Sequence, residues 1–194
     1  YLILFLMEII KFHGIYHINF ESNILTTKKE KTILLELLCK HMQKDIILDR
    51  IYSGINHGFL SDTFHDKCDN KGPTISIIKN EFDYIFGGHT SRSWTNNTGY
   101  ERDSKAFLFQ IYPNQKIFNI NGFHNQIYNN PDRLCGFSDD LRIFNECNIN
   151  NNSDSELWAY NIKSASNLVG GSIKKKCIRF RVIDVEVFVF DVLE

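Results

Sequence analysis

Residues 59–80 read FLSDTFHDKCDNKGPTISIIKN and residues 84–94 read YIFGGHTSRSW, with a three-residue spacer between them. Ser61 and Asp62 suit a helix start, because a side-chain oxygen caps orphan amides and a carboxylate suits the positive end of the helix dipole. Phe64 and Cys68, four apart, then share the buried face of a two-turn helix. Asp69, Asn70, Lys71, Gly72 and Pro73 end it, since Gly tolerates a left-handed exit and Pro cannot continue the helix. A strand follows over 74–78. The Gly87-Gly88 pair in the second segment is expected to allow close backbone packing beside Trp94.

Working outward, residues 20–25 lead into a helix whose start carries the capping-box pair Thr27 and Glu30. Ile33, Leu34, Leu37, Leu38 and Met42 recur at helical spacing as one apolar stripe, with Lys29, Lys31, Glu36 and Lys40 opposite. Residues 45–52 alternate as a strand, punctuated by Ser53-Gly54 and His57-Gly58. After a polar loop over 95–102, residues 106–111 place Phe107, Phe109 and Ile111 on one face and Ala106 and Leu108 on the other, the pattern of a strand covered on both sides. Shorter strands over 116–130 contribute Ile117, Phe118, Ile120, Ile127 and Tyr128 to the core, and 148–155 reads as a polar loop.

At the far end, Phe180 and Val182 alternate with Arg179 and Arg181, and then Ile183, Val185, Val187 and Val189 alternate with Asp184 and Glu186. The apolar phase flips between Val182 and Ile183. Side chains on a strand repeat every two residues, so a straight strand cannot bury both sets on one face, and a bulge or sharp bend near Ile183 is expected. Short alternating strands with turn punctuation favour a β-rich α+β class.

Composition narrows function. Of 194 residues, 43% are hydrophobic and 13% aromatic, which suits a folded core rather than a disordered chain. A net charge of -1 gives no overall attraction to nucleic acid or anionic membrane. Five cysteines, Cys39, Cys68, Cys135, Cys147 and Cys177, show no C-x-x-C pair and favour reduced thiols in the cytosol. The apolar run over 1–10 is too short to span a bilayer and lacks the features of a signal peptide. The expected division is an N-terminal apolar segment over 1–20, the tail of an upstream region, and one domain over 21–194.

Chemistry is sparse. No G-x-S-x-G elbow occurs, and Cys68, although near His57 and His65 in sequence, faces the core on the helical reading, where a thiol is inert. A thiol-based antioxidant or other enzyme working through Cys68 is the alternative to a non-catalytic domain. His65 and Asp69, with Asp66 or His57 near, are the candidate metal ligands; the competing reading has His65 solvated or bonded to backbone and Asp69 holding the turn. Gly87-Gly88 and Gly170-Gly171-Ser172 match no phosphate-loop pattern. Lys174, Lys175, Lys176, Arg179 and Arg181 form one basic cluster, a solvated edge or, as a weaker alternative, a nucleic-acid or acidic-partner site. The expectation is therefore no catalytic, cofactor-binding or metal-binding residues, no cofactor, no small-molecule substrate, no nucleic acid and no membrane span.

The pieces FHDKCDNKGPT and IFGGHTSRSW, in that order and at that distance, resemble the TLDc domain, the module of the oxidation-resistance proteins. Ser22-Asn23-Ile24-Leu25 before the first helix, the phrase over 51–59, the Ala106 to Phe109 order and Val185-Glu186-Val187-Phe188 extend the likeness over roughly 22–190. His89 stands where most members carry an aromatic, and Gly136 alone remains where members have a Gly-rich turn. The resemblance implies an antiparallel β-sandwich flanked by a few helices. It also implies a cytoplasmic protein-interaction domain connected with resistance to oxidative stress and, in several members, with binding or regulation of the vacuolar proton-pumping ATPase through its cytosolic sector. It carries over no catalytic residues.

Overall fold

A computed structural model describes residues 19–122, 124–171 and 177–192. The apolar run over 1–10 and the lysines Lys174, Lys175 and Lys176 lie outside the described residues.

The first helix, α1 (Lys28–Met42), opens on the expected capping box: the Glu30 amide donates to Thr27 Oγ1 and the Thr27 amide to Glu30 Oε2. Its buried stripe is rotated from the one the spacing suggests. Leu34, Leu35, Leu38 and Cys39 are buried, while Ile33, Leu37 and Met42 flank them half-covered. Helix α1 lies against one face of a six-stranded antiparallel sheet ordered β1-β12-β2-β3-β5-β6. Its strands are β1 (Ile46–Ser53), β2 (Thr74–Asn80), β3 (Ile85–Thr90), β5 (Phe107–Tyr112), β6 (Lys116–Asn119) and β12 (Val182–Val192). A second sheet, ordered β11-β10-β9-β8, covers the other face and makes the sandwich. It comprises β8 (Arg133–Phe137), β9 (Leu141–Phe144), β10 (Ser153–Ser155) and β11 (Ile178–Phe180). A two-stranded ribbon pairs β4 (Gly99–Glu101) with β7 (Ile127–Asn129). Three short helices complete the fold: α2 (Gly54–His57), α3 (Ser61–Cys68) and α4 (Ser166–Val169).

The large sheet is buried on both faces, so two cores result. Ile75, Ile77, Phe107, Phe109 and Phe188 pack toward α1 together with Phe20 and Leu25. Tyr52, Ile78, Phe86, Leu108, Val185 and Val187 pack against Phe137, Leu141, Ile143 and Phe180 of the second sheet. Strand β5 contributes to both, as its two apolar faces require. Each such side chain, taken out of water, stabilises the fold by ~1.5–3 kcal/mol.

The quoted stretch sits at the seam. Helix α3 begins at Ser61, but its cap is Leu60, which supplies no side-chain bond; Asn145 Oδ1 accepts from the Ser61 amide at 2.8 Å instead. The cap comes from a residue 84 positions away, which no local pattern reveals. Phe64 and Cys68 are both fully buried, as their spacing predicts. Trp94 donates from Nε1 to Thr74 Oγ1 at 3.0 Å and meets Phe64 and Phe137 edge-on. The glycine pair packs closely, though against other neighbours than Trp94. A Cβ at Gly87 would lie 1.9 Å from the Ser76 carbonyl oxygen, and one at Gly88 2.5 Å from the Phe137 ring.

The phase flip near Ile183 is resolved as the alternation requires. Val182 pairs with Asn80 and Asp184 with Lys79, so Ile183 is an unpaired bulge residue and is exposed. Phe180 pairs with Ser153 in the second sheet while Val182 pairs in the first, so the chain changes sheets at Arg181. Phe180, Val182 and Val185 thereby all face the sandwich core. The loop expected over 148–155 contains β10, a buried Ser-Asp-Ser strand with no apolar residue to announce it. Arg142 of β9 holds it through Asp154, at 2.6 and 2.7 Å, and the Phe144 amide bonds Ser153 Oγ. In the β8–β9 connection Ser138, not a glycine, takes a positive φ of 53°.

Candidate functional site

The side chains singled out by sequence do not converge into a reactive centre. Cys68 is fully buried, and burial pushes its thiol well above the ordinary value. The nearby histidines are otherwise engaged. His57 Nδ1 accepts from the Ser53 amide at 3.1 Å. His65 Nδ1 lies 2.8 Å from Asp69 Oδ1, and its Nε2 faces the carbonyls of Asn130 and Arg133 at 3.1 Å each. His65 thus ties α3 to the start of β8. Asp66 is exposed on the helix, and no three His, Cys, Asp or Glu side chains among the described residues are grouped to hold a metal ion. Gly170 follows a four-residue helix rather than preceding one, so it opens no phosphate loop. Of the basic cluster, Arg181 reaches Glu81 at 3.6 Å, and Arg179 is exposed opposite Asp154.

His89 is buried against the rings of Phe107 and Phe190, with Nδ1 3.1 Å from the Thr74 carbonyl. Burial lowers its pKa, consistent with a neutral ring.

Two buried polar clasps have no signal in the local sequence. Glu186, fully buried on β12, accepts from Arg50 Nη1 at 2.5 Å, Ser22 Oγ at 2.5 Å and the Asn23 amide at 2.7 Å. This clasp fixes the segment before α1 onto the sheet. Asp140, also fully buried, accepts from three successive backbone amides, Trp158 (3.0 Å), Ala159 (2.6 Å) and Tyr160 (3.3 Å). Burial pushes its carboxyl up to about 6 against the pull of those donors.

The Asp140 clasp leads to the surface. Trp158 is 57% exposed and Tyr100 50% exposed, two large aromatics brought together at the surface. With His124, Asn125 and Asp139 they line a depression of about 410 Å³. Trp158 and His124 rings lie 5.4 Å apart; Tyr100 stacks on Tyr128 at 4.4 Å. Burial and the Asp139 carboxylate both raise the Tyr100 pKa. The frame beneath is rigidly bonded. Tyr160 Oη donates to the Gln126 carbonyl, Gln126 Oε1 accepts from the Asp103 amide, and the Asn121 amide reaches the Ala159 carbonyl at 2.7 Å. Asp103 is itself buried among Thr90 Oγ1, Ser91 and the Lys105 amide; burial raises its carboxyl, and those bonds outweigh the burial and hold it below the usual carboxylate range. Sequence reasoning passed over this site; the signal available was Trp158 in the short apolar run Leu157-Trp158-Ala159-Tyr160 between polar segments.

The fold is a mainly β sandwich in which buried polar groups hold loops in place. The TLDc domain family profile matches residues 18–191, and the chain belongs to that family. Similar curated proteins are the MTOR-associated protein MEAK7 of Danio rerio, 32% identical over 74 residues, and that of Gallus gallus, 31% over 77 residues. The Homo sapiens protein of the same name is 24% identical over 74 residues. These matches cover 38% of this chain and 16% of each relative. Among the described residues no helix is long and apolar enough to cross a membrane.

Proposed function

We propose that the chain acts as a non-catalytic protein-interaction and regulatory module, one TLDc domain over residues 21–194 working in the cytoplasm. The observation that carries this reading is Trp158, exposed yet held by a buried carboxylate through three consecutive amides. Tryptophan and tyrosine are enriched among the residues that dominate binding energy, and a preordered aromatic loses little entropy on docking. Family membership supports a role in resistance to oxidative stress and in binding or regulating the cytosolic sector of the vacuolar ATPase. The name of the MEAK7 relatives supports an mTOR-associated setting. Affinity capture with the purified chain, read by mass spectrometry, tests this. ATPase cytosolic subunits are the expected specific catch; mTOR in their place reassigns the partner, and the absence of any specifically retained protein overturns the reading.

A further inference from the structure

Resting on that reading, we propose that the Tyr100–Trp158 depression receives a basic side chain, arginine or lysine, carried by an extended segment of the partner protein. Two aromatic rings and a carboxylate line one depression, an environment that favours a cation over a neutral or anionic group, because aromatic faces are negative and Asp139 adds a full charge. An anionic lipid surface or a phosphate group would meet Asp139 unfavourably.

The charge at Asp139 is not consumed by its neighbour. Arg142 Nη1 bonds Asp139 Oδ1 at 2.9 Å, but Arg142 also holds Asp154 at 2.6 and 2.7 Å and lies 3.9 Å from Glu156. Arg142 thus divides one guanidinium between the Asp139 and Asp154 carboxylates. Arg133, a second cation among the described residues, is turned into a stack between Tyr128 (4.5 Å) and Phe144 (4.7 Å) and does not line the depression. The receptor is built before any partner arrives, since the Asp140 clasp fixes the Trp158 backbone and the Tyr160–Gln126 bond fixes the strand entry beside Asn125.

Three blocked tripeptides test this: Gly-Arg-Gly, Gly-Lys-Gly and Gly-citrulline-Gly, the last matching arginine in shape without its charge. The chain contains two tryptophans, so a ¹⁵N spectrum carries two indole signals. Trp94, buried and bonded to Thr74, reports whether the fold is intact. The arginine and lysine peptides are expected to shift the Trp158 indole signal saturably with Kd on the order of millimolar, as suits one anchoring side chain. Citrulline should leave it in place. Asp139→Asn, with the Trp94 signal unchanged, should weaken the arginine peptide about fivefold or more, and added salt should weaken it further. An equal response to citrulline, an unaffected Asp139→Asn variant or no shift at saturating peptide overturns the proposal. Partner capture run beside it separates the two readings: a partner retained equally by wild type and Trp158→Ala, with silent titrations, overturns the receptor and leaves the interaction reading standing. Charge-selective titration without any captured partner supports the receptor and overturns the interaction reading.

Discussion

Glu186→Ala is expected to lower folding stability by ~3–5 kcal/mol, the cost of leaving a buried charge without its partner. Glu186 is fully buried, and Arg50, whose side chain is 11% exposed, loses a bond of 2.5 Å. Its remaining contact, Glu21 at 3.6 Å, is 92% exposed and contributes little in water. Ser22 Oγ and the Asn23 amide also lose their acceptor, so the segment ahead of α1 should detach first. Glu186→Gln keeps one carbonyl oxygen, enough for the Asn23 amide, and its NH2 can instead donate to Ser22 Oγ, so it is expected to cost less, ~1–3 kcal/mol. Urea denaturation at pH 7 measures the loss, and amide hydrogen exchange at Asn23, Ile24 and Leu25 shows whether the clasp has opened. The double variant Arg50→Ala/Glu186→Ala should lose clearly less than the two single losses added together. A single-variant cost below ~1 kcal/mol, or strict additivity, refutes the buried clasp.

Three further outcomes are expected. Gly88→Ala places a methyl 2.5 Å from the Phe137 ring and should destabilise by ~1–3 kcal/mol in thermal denaturation, with partial recovery in a Phe137→Leu background. Burial holds the carboxyls of Asp140 and Asp184 at about 6, above their ordinary 3.8, so the folded protein binds those protons more tightly. The resulting stability is fully present below pH ~4 and lost as pH rises through ~6; from pH 5 to 7.5 wild type should lose ~1–2 kcal/mol more than Asp140→Asn, read by urea titration. His89, whose pKa burial lowers, acts in the opposite direction in both proteins and cancels in that difference. Finally, of the five thiols, Cys39, Cys68, Cys135 and Cys147 are buried and should resist a thiol reagent until the protein is denatured, leaving Cys177 as the native-state reactant. Rapid native modification of Cys68 would revive the thiol-enzyme reading.

What could be read in advance was whatever repeats at a short period. The Thr27–Glu30 box, the Phe64–Cys68 pair, the doubly covered β5 and the bulge at Ile183 are consequences of side-chain spacing along one element. What stayed hidden depended on contacts between distant residues. Asn145 caps a helix 84 positions earlier, Glu186 meets Ser22 across 164 positions, and β10 is a strand because Arg142 reaches Asp154, its own Ser-Asp-Ser giving no apolar alternation. Trp158 was missed for a related reason: its exposure depends on Asp140, and a fully buried carboxylate cannot be told from a surface one by its neighbours in sequence.

The placement of β12 has a consequence for how the domain is made. It lies between β1 and β2, with Ile46 opposite Val192 and Val189 opposite Thr74. The large sheet therefore cannot close until this strand, the last of its six in sequence, has left the ribosome, and β1 must wait apart from the other four strands. Loop-closure entropy makes such long-range pairing slow. During translation the nascent domain presents two unfilled sheet edges, β1 and β2, a stage at which a chaperone that shields strand edges would matter most.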